Sequence, residues 1–183
     1  MNKYIKAIFC IPLGVIKFGI LKIEHRGDFR GLFPVVLSPL TEISVEKKAK
    51  LFIDKNLRMH NGAKIRVRQS GMVNIGKNFG MSNGCVVTSY NKIVIGDDVM
   101  LGPNVLIYDQ DHDYSVKGGV KSKKYKTSPI KIGNNVWIGA NSLILRGTVI
   151  EDDCIIAGGS VVKGRVEKQT LLIQKREQEI RKI

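Results

Sequence analysis

The sequence predicts an all-β chain wound into a three-sided parallel solenoid, and two observations carry that expectation. The first is a period. An aliphatic residue recurs at every sixth position through Ile132, Ile138, Ile144, Ile150, Ile156 and Val162. The same step appears in Ile95, Leu101 and Ile107, in Ile75, Met81 and Val87, and in Ile53, Met59 and Ile65. An α-helix repeats every 3.6 residues and a single strand every two, so neither explains a step of six. The second observation is what lies between. A small residue often follows the aliphatic, as at Gly76, Ser82, Gly96, Gly102, Gly133, Gly139 and Ala157, and Asp97-Asp98, Asn134-Asn135 and Asp152-Asp153 supply turn formers. Short strand, turn, short strand, turn is the outcome, and three rungs close one triangular coil of about eighteen residues.

Each segment has its place in that scheme. Residues 1–42 show no six-residue step and are expected to cap the open end of the first coil, where core and backbone would otherwise be bare. Within them Ala7 to Ile16 is apolar but too short to span a bilayer, and no small-residue cleavage site follows. Residues 5–23, with Lys3, Lys6, Lys17 and Lys22 around them, suit either a packed cap helix or a weak contact with an anionic membrane surface. Residues 43–165 carry the solenoid. Ile107 to Ile132 is far too long for one rung, so residues 108–129 must leave the prism as a protruding loop. That loop holds Asp109, Asp111, His112 and Asp113, then a Lys-rich run from Lys117 to Lys126. Residues 166–183 have high helix propensity and read as a strand-like exit followed by a terminal helix, with Leu171, Leu172, Ile180 and Ile183 as apolar positions.

Composition narrows the class. With 30 Lys and Arg against 16 Asp and Glu, the formal charge is +14, a field that attracts anions. The few aromatics are not interleaved with the basic residues, which argues against a nucleic-acid partner. Cys10, Cys85 and Cys154 form neither a disulfide framework nor a metal-binding spacing, and a reducing, cytoplasmic setting fits them best.

The stretch Ile130-Lys-Ile-Gly-Asn-Asn-Val-Trp-Ile-Gly-Ala-Asn, followed by Ile156-Ala-Gly-Gly-Ser-Val-Val, closely resembles the hexapeptide-repeat acyltransferases. The likeness covers roughly residues 50 to 165 and is strongest to the galactoside, maltose, xenobiotic, capsule and O-antigen O-acetyltransferases. It implies a left-handed β-helix, a homotrimer with active sites between subunits, and acetyl-CoA as donor with no metal required. Position by position, His112 matches the family's loop histidine, the catalytic base. Trp137 matches a residue lining the acetyl end of the site, and Ala140 and Gly158 match positions holding the pantetheine arm. Lys163 matches the approach to the nucleotide end, and Arg165 lies beside it. The family's acceptor-binding asparagine slot holds Ser82 here, with Asn83 one step on. Two further departures fall at the end, where Lys163-Gly-Arg-Val-Glu and Gln174-Lys-Arg-Glu replace the usual closing motifs.

The chemistry follows from the residue types. A hydroxyl that attacks a thioester must lose its proton, and a neutral imidazole with an ordinary pKa of about 6.5 suits that task. A carboxylate on the other ring nitrogen would fix the tautomer, and Asp109, Asp111 and Asp113 are all within reach in sequence. Asp109, Ser82 and Asn83 are also candidates for acceptor contact. Backbone N–H groups near Gly139-Ala140 could meet the oxyanion, and Lys163, Arg165, Lys175 and Arg176 the CoA phosphates. The expected activity is O-acetylation of a saccharide hydroxyl, as in surface polysaccharide biosynthesis. Alternatives are N-acetylation of an amino sugar or small amine, and a scaffold without catalysis. A zinc carbonic anhydrase would need three converging histidines, and His25 and His60 are poorly placed to join His112.

Overall fold

The computed structural model describes residues 3–175, 177 and 179–181. Three parallel sheets form the sides of a left-handed prism of about six turns. The first face stacks Phe29–Gly31, Lys50–Ile53, Met72–Ile75, Lys92–Ile95, Ile130–Ile132, Val149–Ile150 and Arg165–Val166. The second stacks Val35–Leu37, Leu57–Met59, Gly80–Met81, Met100–Leu101, Trp137–Ile138, Ile155–Ile156 and Leu171–Leu172. The third stacks Glu42–Val45, Lys64–Val67, Val86–Ser89, Leu106–Tyr108, Leu143–Ile144 and Val161–Val162.

The six-residue step becomes three columns of like on like. Ile75, Ile95, Ile132 and Ile150 are in register on the first face. Met81, Leu101, Ile138 and Ile156 align on the second, and Val87, Ile107, Ile144 and Val162 on the third. All twelve are buried and together make a continuous aliphatic core. At the first-to-second corner the turns are held open by Asn56, Asn78, Asp98, Asn135 and Asp153, all at positive φ. Their side chains form a ladder along the prism: Asn56 donates to Asn78 at 2.8 Å, Asn78 to Asp98 at 2.8 Å, and Asn135 to Asp153 at 3.0 Å. Asn and Asp tolerate this left-handed geometry and bond to their copies in the next coil.

Two sequence expectations need correction. The solenoid begins before residue 43, because Phe29–Gly31 and Val35–Leu37 already pair with Leu51–Ile53 and Leu57–Met59. The cap is therefore shorter than residues 1–42 and consists mainly of the helix Lys3–Glu24. The period is masked in this coil because Gly31 takes the slot that Ile53 fills one coil later. Its missing side chain is replaced by the Phe18 ring of the helix, which lies 2.4 Å from where a Cβ would stand. The second correction concerns the tail. Arg165–Val166 and Leu171–Leu172 extend the ladders, and among the described residues beyond them no helix forms. Instead the Gln174 amide accepts from Val161 N at 2.9 Å and donates to Val161 O at 2.7 Å, covering the free strand edge. Ile183 and Arg176, assigned to that tail, lie outside the described residues.

Candidate active site

The excursion after Tyr108 leaves the corner between the third and first faces as an antiparallel hairpin, Gln110–His112 against Tyr125–Thr127. A hairpin holds a side chain more rigidly than an open loop does, and this one is tied down at three points. Asn91 Nδ2 donates to Thr127 Oγ1 at 3.1 Å, and Arg146 Nε donates to Asp111 at 2.6 Å. The third tie is Asp109, fully buried at 0% exposure at the hairpin's root. Its oxygens accept from Ser89 Oγ at 2.6 Å, Tyr90 N at 2.8 Å and Asn91 N at 2.9 Å. The carboxyl thus pins the backbone under Tyr90.

His112 is exposed near the free end of this hairpin. It stands across the ladder from Tyr125, with ring centroids 4.7 Å apart, and Tyr125 in turn lies 4.5 Å from the Tyr90 ring. The imidazole is the outer member of an aromatic pile whose base is held by Asp109. Burial, then the neighbouring Tyr125, pushes the Tyr90 hydroxyl above its ordinary pKa.

The three aspartates near His112 are all engaged elsewhere. Asp109 faces inward, Asp111 pairs with Arg146, and Asp113 accepts from Ser115 and pairs with Lys126 at 3.3 Å. The Ser115 bonds come first among the causes that hold the Asp113 carboxyl below its ordinary pKa. Among the described residues of this chain no hydrogen bond or ion pair links any of the three to the imidazole, so the expectation that one of them orients it is not met. Asp109 is equally withdrawn as an acceptor contact, since its oxygens are buried and spent on structure.

A second group lies at a different corner. Trp137 stands outward on the second face, 55% exposed, in register between Met100 and Ile155. The chain then turns toward the third face through Gly139 and Ala140, and one coil later through Gly158. This corner is packed backbone to backbone. A Cβ on Gly102 would lie 2.7 Å from Ala140 N, and one on Gly139 would lie 2.5 Å from Gly158 N. Small residues beside an exposed indole keep side-chain bulk away from this corner of the backbone. Ser82 and exposed Asn83 occupy the same corner further down. Ser82 shares a hollow of about 170 Å³ with Arg58, His60, Gly80, Met81, Met100 and Leu101.

Arg58 and His60 were not assigned to a site from the sequence. The signal was there in the register: Arg58, Gly80, Met100 and Trp137 form one outward column on the second face. Lys163, by contrast, follows Val162 at the third-to-first corner, the corner of the His112 hairpin. Arg165 lies on the first face, where it pairs with Glu151 and, at 3.0 Å, with Glu167. That guanidinium thus has carboxylate partners within the chain, while its side chain stays 59% exposed. Among the described residues no group of three or more His, Cys, Asp or Glu is placed to hold a metal ion.

The candidate residues therefore fall into two groups at different corners of the prism. The third face separates His112 and Lys163 from Trp137, Ala140, Gly158, Ser82 and Asn83. A solenoid of this shape with one long excursion defines the left-handed β-helices built on hexapeptide repeats. Residues 129–164 match the bacterial transferase hexapeptide family (six repeats). The chain is 34% identical over 90 residues to the galactoside O-acetyltransferase of Escherichia coli, covering 49% of this chain and 44% of that protein. A maltose O-acetyltransferase from Clostridium difficile superposes with a TM-score of 0.55 and 27% identity over 91% of this chain and 80% of that one. An N-acyltransferase from Bacillus cereus, solved with dTDP and coenzyme A, shares the fold at a TM-score of 0.68 and 19% identity, over 84% of this chain and 82% of that one. In repeat, sequence and fold the chain is similar to the hexapeptide-repeat acyltransferases. It spans about half the length of the curated relatives it matches.

Proposed function

We propose that this protein transfers an acetyl group from acetyl-CoA to a saccharide hydroxyl, with His112 as general base, in a site completed by a second copy of the chain. The observation that carries the reading is the exposed His112 imidazole on a braced hairpin, the one long excursion from an otherwise regular prism. The imidazole takes the acceptor's hydroxyl proton as the oxygen attacks the thioester carbonyl. The carbon–sulfur bond then breaks, and the imidazolium returns its proton to the departing thiolate, giving the acetyl ester and CoA thiol. Stacking on Tyr125, rather than a carboxylate, sets the ring plane.

The fit to CoA rests on the exposed Trp137 ring and the small residues beside it, taken as the walls of a slot. A pantetheine arm could lie along Ala140 and Gly158, where no side chain obstructs the backbone, and exposed Lys163 suits a phosphate. Because the slot and the imidazole sit at different corners of one prism, a neighbouring copy must bring them together, as a homotrimer would. A saccharide acceptor is supported by the polar hollow of Arg58, His60 and Ser82, with Asn83 beside Ser82 in sequence, and by the sugar substrates named for two of the proteins above.

The test is release of CoA thiol from acetyl-CoA against a panel of mono- and oligosaccharides, with amino sugars as a separate arm. His112→Ala should lower the acceptor-dependent rate by roughly 10²–10⁴-fold, the usual contribution of a positioned base. Undiminished release by that variant, or release with amines alone, refutes the reading.

A further inference from the structure

The N-terminal helix has two apolar faces, and the fold uses only one. Cys10, Gly14, Phe18 and Leu21, spaced by three or four, are buried against the first coil. Gly14 lets the helix approach closely, since a Cβ there would lie 3.0 Å from Val35 Cγ1. Lys17 Nζ anchors the same side, donating to Thr41 O at 2.5 Å. The opposite face should then be polar in a protein surrounded by water. It carries instead Ile11, Val15, Ile16, Ile20 and Ile23, with Ile16 59% and Ile23 73% exposed. A cap helix needs only one apolar stripe, so the second requires another occupant.

We infer that this outer face docks the protein on an anionic phospholipid bilayer, with the helix lying in the interface. Charge selects this occupant. The helix sequence holds Lys3, Lys6, Lys17 and Lys22 against Glu24 alone, and the whole chain carries +14. Arg26, Lys47 and Lys48 border one depression with Ile23, together with Glu24, His25 and Asp28, so the apolar face ends at a rim richer in cations than in carboxylates. A second copy placed face to face would set lysine against lysine, whereas an anionic surface meets both the isoleucines and the cations. Among the described residues no helix is long and apolar enough to cross a membrane, so the geometry is one of lying on the surface. Docking by the capped end leaves the three sides of the prism, where both groups of candidate residues lie, free of the lipid. This inference does not depend on the acetyl-transfer reading.

The experiment is flotation of the full chain with vesicles of phosphatidylcholine alone and of phosphatidylcholine mixed with phosphatidylglycerol. Its comparison is Ile16→Glu/Ile20→Glu, at two exposed positions whose change leaves the buried face intact; circular dichroism and light scattering report folding and oligomeric state. The intact chain should float with the anionic vesicles, less so in high salt, and the double variant should bind roughly tenfold or more weakly. Equal flotation of the two proteins, no binding to anionic vesicles, or a variant that changes oligomeric state instead would each overturn the inference. A folding defect in the double variant is separated by Lys22→Glu, an exposed position, which should by itself weaken anionic-vesicle binding; an unchanged partition for it refutes the charge argument.

Discussion

Removing the Asp109 carboxyl should destabilise the protein far more than removing a surface acid, because of what its oxygens do. They accept from two backbone donors, Tyr90 N and Asn91 N, and from Ser89 Oγ, at a position with no solvent exposure. In Asp109→Ala, Ser89 retains an acceptor, Met72 O at 3.3 Å, but the two N–H groups lose theirs. A buried donor left unpaired costs about 1–3 kcal/mol, so the pair should cost roughly 2–6 kcal/mol, toward the lower end if water enters the vacated space. Asp109→Asn keeps the shape and replaces one acceptor by a donor, which should cost about 1–3 kcal/mol. Urea denaturation at one fixed protein concentration gives the order wild type, Asn, Ala. Acetyl transfer should fall with them, since Tyr90, Tyr125 and His112 form one pile on that root. An Asp109→Ala protein within about 0.5 kcal/mol of wild type, altered only in its KM for the acceptor, would refute this account and return Asp109 to substrate binding.

Two glycines should respond in opposite senses. Gly139→Ala places a methyl 2.5 Å from Gly158 N and 2.9 Å from Ile156 O, both rigid backbone. Overpacking of that kind costs about 1–3 kcal/mol, and denaturation midpoints should fall accordingly. Gly19→Ala, on the helix with nothing within 4 Å of the new Cβ, should raise the midpoint by about 0.5–1 kcal/mol. On the third face, Arg66 donates to both oxygens of Glu42 at 2.7 and 2.8 Å, and this bond lowers the Glu42 pKa. The folded-state value lies below the unfolded one, so the contribution is present above the ordinary glutamate range and is lost as pH falls through the folded-state value. Both side chains are more than a third exposed, which limits it to about 0.2–1 kcal/mol. The stability difference between wild type and Glu42→Gln, followed by urea titration, should be constant near neutral pH and shrink on acidification.

The parts of this molecule legible in its sequence are those that repeat. A side chain at every sixth position meets its copy one coil away, so Ile132, Ile150 and their neighbours announced both the strands and the core. Asn and Asp at the corners were legible for the same reason, because their geometry is local and recurs. The first coil escaped notice because its pattern is completed from outside: the space at Gly31 is filled by Phe18, a residue of another element. The strand-like exit of the tail was legible, but the helix expected after it was not found among the described residues, because helix propensity is a local preference that tertiary pairing such as Leu171–Leu172 with Ile155–Ile156 can override. In the site, the break in the repeat exposed the hairpin and singled out His112.

What the sequence determined by itself was the prism, its corners and the position of the one excursion, since each follows from spacing along the chain. Only the tertiary structure decided what the excursion's side chains do. Asp109, Asp111 and Asp113 are indistinguishable as letters, and they part company because one is turned into the core, one meets Arg146 and one meets Lys126. The same holds for Arg165, whose partner Glu151 lies one coil back, and for Arg58, which reaches the Trp137 column through the stacking of three coils. Hydrogen bonds are satisfied in space, at a few ångströms, and spacing along a chain fixes that proximity only where the structure repeats.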